Sequence, residues 1–143
     1  MVSKSPSDNL SWNELSCKDG TPYPVQWRNN RAIQLANVFE MVRLFFNNKP
    51  IIIYSAYRTP SWNSYIGGAR NSQHIQGRAL DLHNPDTILI EDFYAEIKNL
   101  ANLDTSNIGG IGLYRTFVHV DIRPKVNNHI AYWSGDGLKD SLG

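Results

Sequence analysis

One cysteine, at position 17, is all the sulfhydryl chemistry that the 143 residues contain. A lone thiol cannot close an internal disulfide, so the fold must rest on packing, with or without a metal, and a reducing compartment suits it. Cys17 is expected to be a buried free thiol. Long apolar runs are also missing: nothing approaches the roughly 20 residues that a membrane-spanning helix needs. Neither sign of charge dominates, since 14 basic residues against 13 acidic leave +1, which argues against nucleic acid as the main partner. The opening from Met1 to Asp8 has no apolar stretch behind a charged start, so no secretory leader is expected and synthesis in the cytoplasm is. There is no internal repeat and no low-complexity tract, and hence no linker to a second module. The reading is a single domain, 1–143, acting as a monomer, with flexible ends at about 1–8 and 135–143. A chain of this length buries roughly two thirds of its unfolded surface.

What the sequence does have is concentrated between Ser55 and Asp81. In Ser72-Gln73-His74-Ile75-Gln76-Gly77-Arg78-Ala79-Leu80-Asp81, six residues lie between an imidazole and a carboxylate. A His at the end of a loop and an Asp on the following strand converge on one ion if the turn between them is tight, which Gly77 permits and the small Ala79 does not obstruct. Asp81 sits within an apolar, strand-like run, where an unpaired charge is costly and a cation is needed. Neutral imidazole plus carboxylate suits zinc, which takes at least one further protein ligand. Downstream, Phe117-Val118-His119-Val120-Asp121 alternates, placing His119 and Asp121 on one face of a strand. His119 taken alone reads as well as a packed core histidine; with His74 and Asp81 it closes a triad.

The surrounding pattern predicts the elements that carry these residues. Arg31 to Phe46 has apolar residues at Ile33, Leu35, Ala36, Phe39, Val42 and Phe46 in helical spacing, stopped by Asn47-Asn48-Lys49-Pro50. Pro50 to Tyr54 is short, β-branched and bounded by breakers, a buried strand. Thr59 caps a short helix with Pro60 in its first turn, ended at Gly67-Gly68; its Trp62 and Tyr65 either line a cleft or pack. Residues 67–76 form a loop, 78–82 a strand, and Glu91 to Leu103 an amphipathic helix buried through Phe93, Ile97, Leu100 and Ala101. Gly109 to Tyr114 and Phe117 to Ile122 form an antiparallel pair turning at Arg115-Thr116, and Ile130 to Trp133 returns as a short strand. Trp133 is either a cleft wall or a lid over the core. His83 is an edge residue and not a fourth ligand, because a catalytic zinc keeps a position open for water. The fold class is α+β: a small antiparallel or mixed sheet bearing the ligands, with helices mainly on its other side.

The pattern S-x-H-x-x-G-x-A-x-D, preceded by S-A-Y-R-T and followed by G-x-G-x-Y-x-x-F-V-H-V-D, resembles the M15 group of zinc peptidases. That group includes D-Ala-D-Ala carboxypeptidases and phage endolysins acting on peptidoglycan stem peptides. With the opening Asn9 to Cys17, the resemblance spans about Leu10 to Trp133. It implies a zinc D-Ala-D-Ala carboxypeptidase/hedgehog-like fold, Zn2+ bound by His74, Asp81 and His119, and hydrolysis of a peptide bond in the stem peptide or cross-link. Cell wall would then be reached by release or delivery, as for a phage endolysin.

The same resemblance turns Arg58 toward the substrate, where a guanidinium fork suits a peptide carboxylate; the alternative is an ion pair that fixes the loop. Ser72 is placed with it on the substrate side, as a turn or supporting hydroxyl and not a nucleophile, since no Ser-His-Asp arrangement surrounds it. The chain departs from the family at the general base. Relatives carry an acid three positions before the last zinc His or a His two before it, where this chain has Thr116 and Phe117. Asp121 is the nearest carboxylate and is expected to act as base, the alternative being that it pairs with Arg123 or orients His119. An endopeptidase of the same fold, a non-catalytic zinc-containing binding module and a phage particle component are the other readings.

Overall fold

The computed structural model describes residues 4–103 and 105–135. Helix α1 (Trp12–Leu15) opens with a capping box, in which Ser11 Oγ accepts from Glu14 N at 3.1 Å and Glu14 Oε1 accepts from Ser11 N at 2.9 Å. Its single turn buries Leu15 and leans Trp12 on the core. Within and beside the start expected to be flexible, Ser7 and Asn9 bond to Glu40. Ser7 Oγ donates to Glu40 Oε2 at 2.6 Å, and the backbone and side-chain amides of Asn9 donate to the same carboxylate at 2.9 and 2.8 Å. Of the other expected flexible end, only Gly135 falls among the described residues, and its N–H donates to Leu113 O.

A 3-10 turn (Val25–Trp27) leads to α2 (Arg31–Phe45), where the Asn30 side chain accepts from Arg31 N. The left-handed pair Asn47 and Asn48, at φ 59° and 60°, stops it; asparagine tolerates that region better than most residues. The buried stripe is Ala32, Leu35, Ala36, Val38, Phe39 and Val42. Ile33, expected inside, is 46% exposed, because the stripe that faces the core starts one position earlier, at Ala32. Strand β1 (Ile53–Ser55) lies later than the expected 50–54. Its pairing is irregular between Ile53 and Ser55, and this sets Ser55 opposite Asp81. Helix α3 (Pro60–Tyr65) has Thr59 Oγ1 accepting from Trp62 N and Pro60 at its start.

Strand β2 (Ala79–Leu82) precedes α4 (Ile90–Ala101), which has Glu91 and Asp92 in its first turn, where carboxylates favour the helix dipole. Phe93, Ile97, Leu100 and Ala101 are buried, as the spacing predicts. Strands β3 (Gly110–Leu113) and β4 (Val118–Asp121) form the expected hairpin, closed by Tyr114 N donating to Phe117 O, and β5 (Ala131–Ser134) joins β3 in parallel. The result is an α+β chain with a five-stranded mixed sheet in the order β1-β2-β4-β3-β5.

Strand alternation divides the sheet. Leu80, Leu82, Ile111, Val118 and Val120 join one buried cluster with Leu35, Phe39 and Val42 of α2 and Phe93, Ile97 and Leu100 of α4. Asp81, His119 and Asp121 occupy the alternate positions and so face away from that core. Among the described residues no helix is long and apolar enough to cross a membrane. Cys17 is a buried free thiol.

Candidate metal centre and its cleft

Asp81 on β2 is paired in register with His119 on β4. Adjacent strands and matching faces put the two side chains side by side, with His119 Nδ1 3.0 Å from Asp81 Oδ1. His74 arrives from the loop, where the turn is built on several contacts. Ser72 Oγ accepts from His74 N, Arg58 N donates to His74 O, and Arg78 N donates to Gln73 O. Gly77 has φ +65°, and a Cβ there would stand 2.5 Å from the Trp27 ring. The amino-terminal segment holds this turn from outside: Tyr23 Oη donates to Gly77 O and Arg31 to Gln76 O, each at 2.7 Å.

The His74 ring donates Nδ1–H to Ala56 O at 2.6 Å. This fixes the tautomer and leaves a lone pair on Nε2. That atom is buried and has no hydrogen-bond partner, although Asp81 Oδ1 lies 3.1 Å away. An orphaned buried acceptor is costly unless a cation meets it. One donor atom each from His74, Asp81 and His119 all lie within 4.8 Å of one another, and all three residues are buried. Two imidazole nitrogens and a carboxylate oxygen make a donor set suited to a first-row divalent ion, so the residues fit a metal.

Each donor is braced. Arg58, 9% exposed, gives Nε–H to Ser55 Oγ at 3.0 Å, one amino group to Asn63 Oδ1 at 3.1 Å and the other to Asp81 Oδ2 at 3.3 Å. Arg58 lines the cleft, but all three of its nitrogens are occupied, so its contacts in this structure are those of the loop-fixing ion pair. His119 Nε2–H donates to Asp121 Oδ2 at 2.7 Å. Arg123 in turn donates to both Asp121 oxygens, at distances of 2.6 to 3.1 Å. Asp121 is therefore not placed as the base expected from its position. Its oxygens are taken by His119 and Arg123, and it is not among the cleft-lining residues; its geometry is that of a carboxylate orienting a ligating imidazole. Ser72 lines the cleft, with its hydroxyl serving the turn.

The protonation states follow from the surroundings. Burial pushes His74 down, with Arg58 assisting against the pull of Asp81. Burial also opposes charge on His119, but the Asp121 and Asp81 carboxylates outweigh it and raise its pKa to about 9. Burial raises Asp81 and Asp121, yet their imidazole and guanidinium partners leave both well below the usual carboxylate range. Below about 9, then, the metal-free His119 carries a proton that an incoming cation must displace. Apparent metal affinity is expected to climb by roughly tenfold per pH unit through neutrality and to flatten above the His119 pKa. Competition against a chromophoric chelator at several pH values measures this slope; a flat profile would contradict a charged His119.

The centre forms part of the lining of a cavity of about 370 Å³ whose walls include Ile66, Gln73, Tyr114, Phe117, Arg123 and Trp133. Trp133 is thus a cleft wall. It lies across β3 because Gly112 has no side chain: a Cβ there would meet the indole at 2.4 Å. Trp62 and Tyr65 do not line this cleft; they pack on each other at 5.5 Å, with Tyr65 82% exposed. His83 is engaged elsewhere, with Nδ1 at 2.9 Å from Thr116 O and its ring stacked on Tyr54. Sequence reasoning gave no role to Tyr114, Gln73, Ser55 or Asn63. Ser55 and Tyr114 had a signal, as parts of S-A-Y-R-T and of the glycine-rich segment before His119.

A buried His-Asp-His cluster beside a cleft, on the sheet face opposite the main core, forms a set of donors that could hold a metal ion. A sequence profile of Peptidase M15 matches residues 8–121, a span holding all three donors. The chain belongs to that family of metallopeptidases. Among curated proteins, no relative matches it.

Proposed function

We propose that the chain is a zinc-dependent peptidoglycan peptidase with the zinc D-Ala-D-Ala carboxypeptidase/hedgehog-like fold, hydrolysing a peptide bond that involves D-alanine in the stem peptide or cross-link. The observation that carries this reading is the meeting of His74 Nε2, Asp81 and His119 Nδ1 beside an open cleft. A bound zinc ion supplies Lewis acidity toward a carbonyl oxygen and lowers the pKa of water to near 7. The protein's own share is positional. Ala56 holds His74, Arg58 holds Asp81, and the Asp121–Arg123 pair holds His119. Apart from the donors, the charged side chains lining the cleft among the described residues are Arg58 and Arg123, each paired with a carboxylate. A guanidinium that exchanged its partner for the free carboxylate of a stem peptide would favour the carboxypeptidase form over an endopeptidase.

Zymography on purified cell walls is expected to show clearing that a chelator abolishes and added zinc restores. Mass spectrometry of the digested muropeptides should show loss of a terminal D-alanine; splitting of cross-linked dimers would instead assign an endopeptidase. Intact muropeptides after incubation with the zinc-loaded protein would defeat the enzymatic reading. A non-catalytic wall-binding module is the second reading, favoured by one observation: among the described residues, no acid or imidazole beyond the three donors lines the cleft. That module would bind walls without releasing products.

A further inference from the structure

Among the described residues Tyr114 is the one phenol lining the cleft, and its hydroxyl is only half engaged. Trp133 Nε1–H donates to Tyr114 Oη at 3.0 Å. An indole nitrogen can only donate, so this bond occupies a lone pair of the phenol and leaves its own proton to be given. Among the described residues no acceptor for that proton is found. The ring cannot swing freely to seek one. It is stacked on Phe117 with centroids 4.5 Å apart, and its edge approaches Gly135 so closely that a Cβ there would stand 2.0 Å from it.

Trp133, which orients the phenol, is itself fixed by the metal centre. Its ring lies 5.1 Å from the His119 ring, Arg123 sits over it at 4.9 Å, and Gly112 makes room beneath it. Tyr114 and Arg58 line the same cleft, and Arg58 touches Asp81. The hydroxyl therefore belongs to the same cleft as the three donors, held by a line of contacts that starts at His119.

We infer that Tyr114 is a catalytic residue: its O–H donates a hydrogen bond to the carbonyl oxygen of the bond being cut, with Trp133 as its positioning residue. This role rests on the peptidase reading above. As water adds to the carbonyl carbon, a C–O bond forms and the π pair moves onto the oxygen, where the phenol hydrogen bond stabilises the growing charge. The pair returns as the C–N bond breaks, and the departing nitrogen takes a proton that came from the water. Tyr114 keeps its own proton throughout, so peptide plus water gives acid plus amine with nothing else consumed.

The test compares zinc-loaded wild type, Tyr114→Phe and Trp133→Phe on a muropeptide pentapeptide ending in D-Ala-D-Ala, with zinc content and melting temperature measured for each. Tyr114→Phe keeps the stacked ring and loses only the hydroxyl. Its kcat is expected to fall about a hundredfold with KM unchanged, the pattern of a contact made in the transition state. Trp133→Phe should lower kcat in the same direction by less. A phosphinate dipeptide, which mimics the tetrahedral state, should bind Tyr114→Phe more weakly by a similar factor in calorimetry. An active wild type beside a Tyr114→Phe variant with full kcat, or with only KM raised, overturns the role. So does a fall that tracks lost zinc, since the phenol would then be structural. A wild type inert on this peptide and on cross-linked muropeptide dimers overturns the peptidase reading and this role with it.

Discussion

Asp81→Ala is expected to empty the metal centre and to destabilise the chain by about 3–5 kcal/mol, the usual cost of removing one partner from a buried ion pair. Asp81 is 2% exposed and touches His74, His119 and Arg58 at once. Its loss leaves the Arg58 guanidinium buried without an anion and withdraws the one carboxylate that the two imidazoles share. Against a typical total of about 5–15 kcal/mol, that penalty brings the fold close to its limit. Hydrolysis should fall by more than about a thousandfold, because a three-donor site that loses its charged member no longer retains the ion. Asp81→Asn separates the two effects: the amide oxygen still accepts from Arg58, so most stability should return while zinc retention does not. Thermal melts and zinc stoichiometry on the purified variants measure both. An Asp81→Ala protein holding one zinc per chain at wild-type affinity would remove this residue from the centre.

Gly77→Ala is expected to be nearly as damaging without touching a donor atom. The backbone there is left-handed, at φ +65°, a conformation that costs an alanine about 1–2 kcal/mol. The added methyl would also press 2.5 Å from Trp27 and 3.0 Å from Tyr23 Oη, and overpacking of this kind costs about 1–3 kcal/mol. Neither ring can yield easily. Tyr23 is almost fully buried and bonded to Gly77 O, while Trp27 packs edge-on against Tyr23 and Tyr57. The strain should be relieved by moving the 74–77 turn, which carries His74 out of register with Asp81. A lowered melting temperature together with at least about tenfold weaker zinc binding is the expected result, in line with the loss seen when groups supporting a ligand are disturbed. A variant that melts lower but binds zinc normally would show that the turn does not set the donor spacing.

The parts legible in the sequence were those governed by period and spacing. Alternation around His119, the six residues between His74 and Asp81 with Gly77 among them, and the apolar repeat of α4 each depend on local geometry alone. They located the three residues that the fold brings together, along with the hairpin and the cap at Thr59. The start of β1 was missed because an irregular pairing opposite Asp81, not its β-branched composition, sets where Ile53 and Ser55 sit. Ile33 was misplaced because hydrophobicity was weighed without the helix phase that Ala32 and Val38 reveal. For Asp121 the sequence left two roles open, base or partner of Arg123 and His119, and the contacts are those of the second. Sharing a face with His119 says that two side chains are near, but not that Arg123 folds back to occupy the carboxylate. Arg58 posed the same problem, since its partners Ser55, Asn63 and Asp81 come from three separate segments.

The parallel strand β5 contributes Trp133 from beyond the stretch that matches the family profile, while the three candidate donors all lie within it. One side of the cleft is thus built by a strand outside the span that encodes those donors. Substitutions along that strand would alter the cleft's outline and leave the identity of the candidate donors untouched, so the terminal edge of the sheet is where the cleft can vary apart from them.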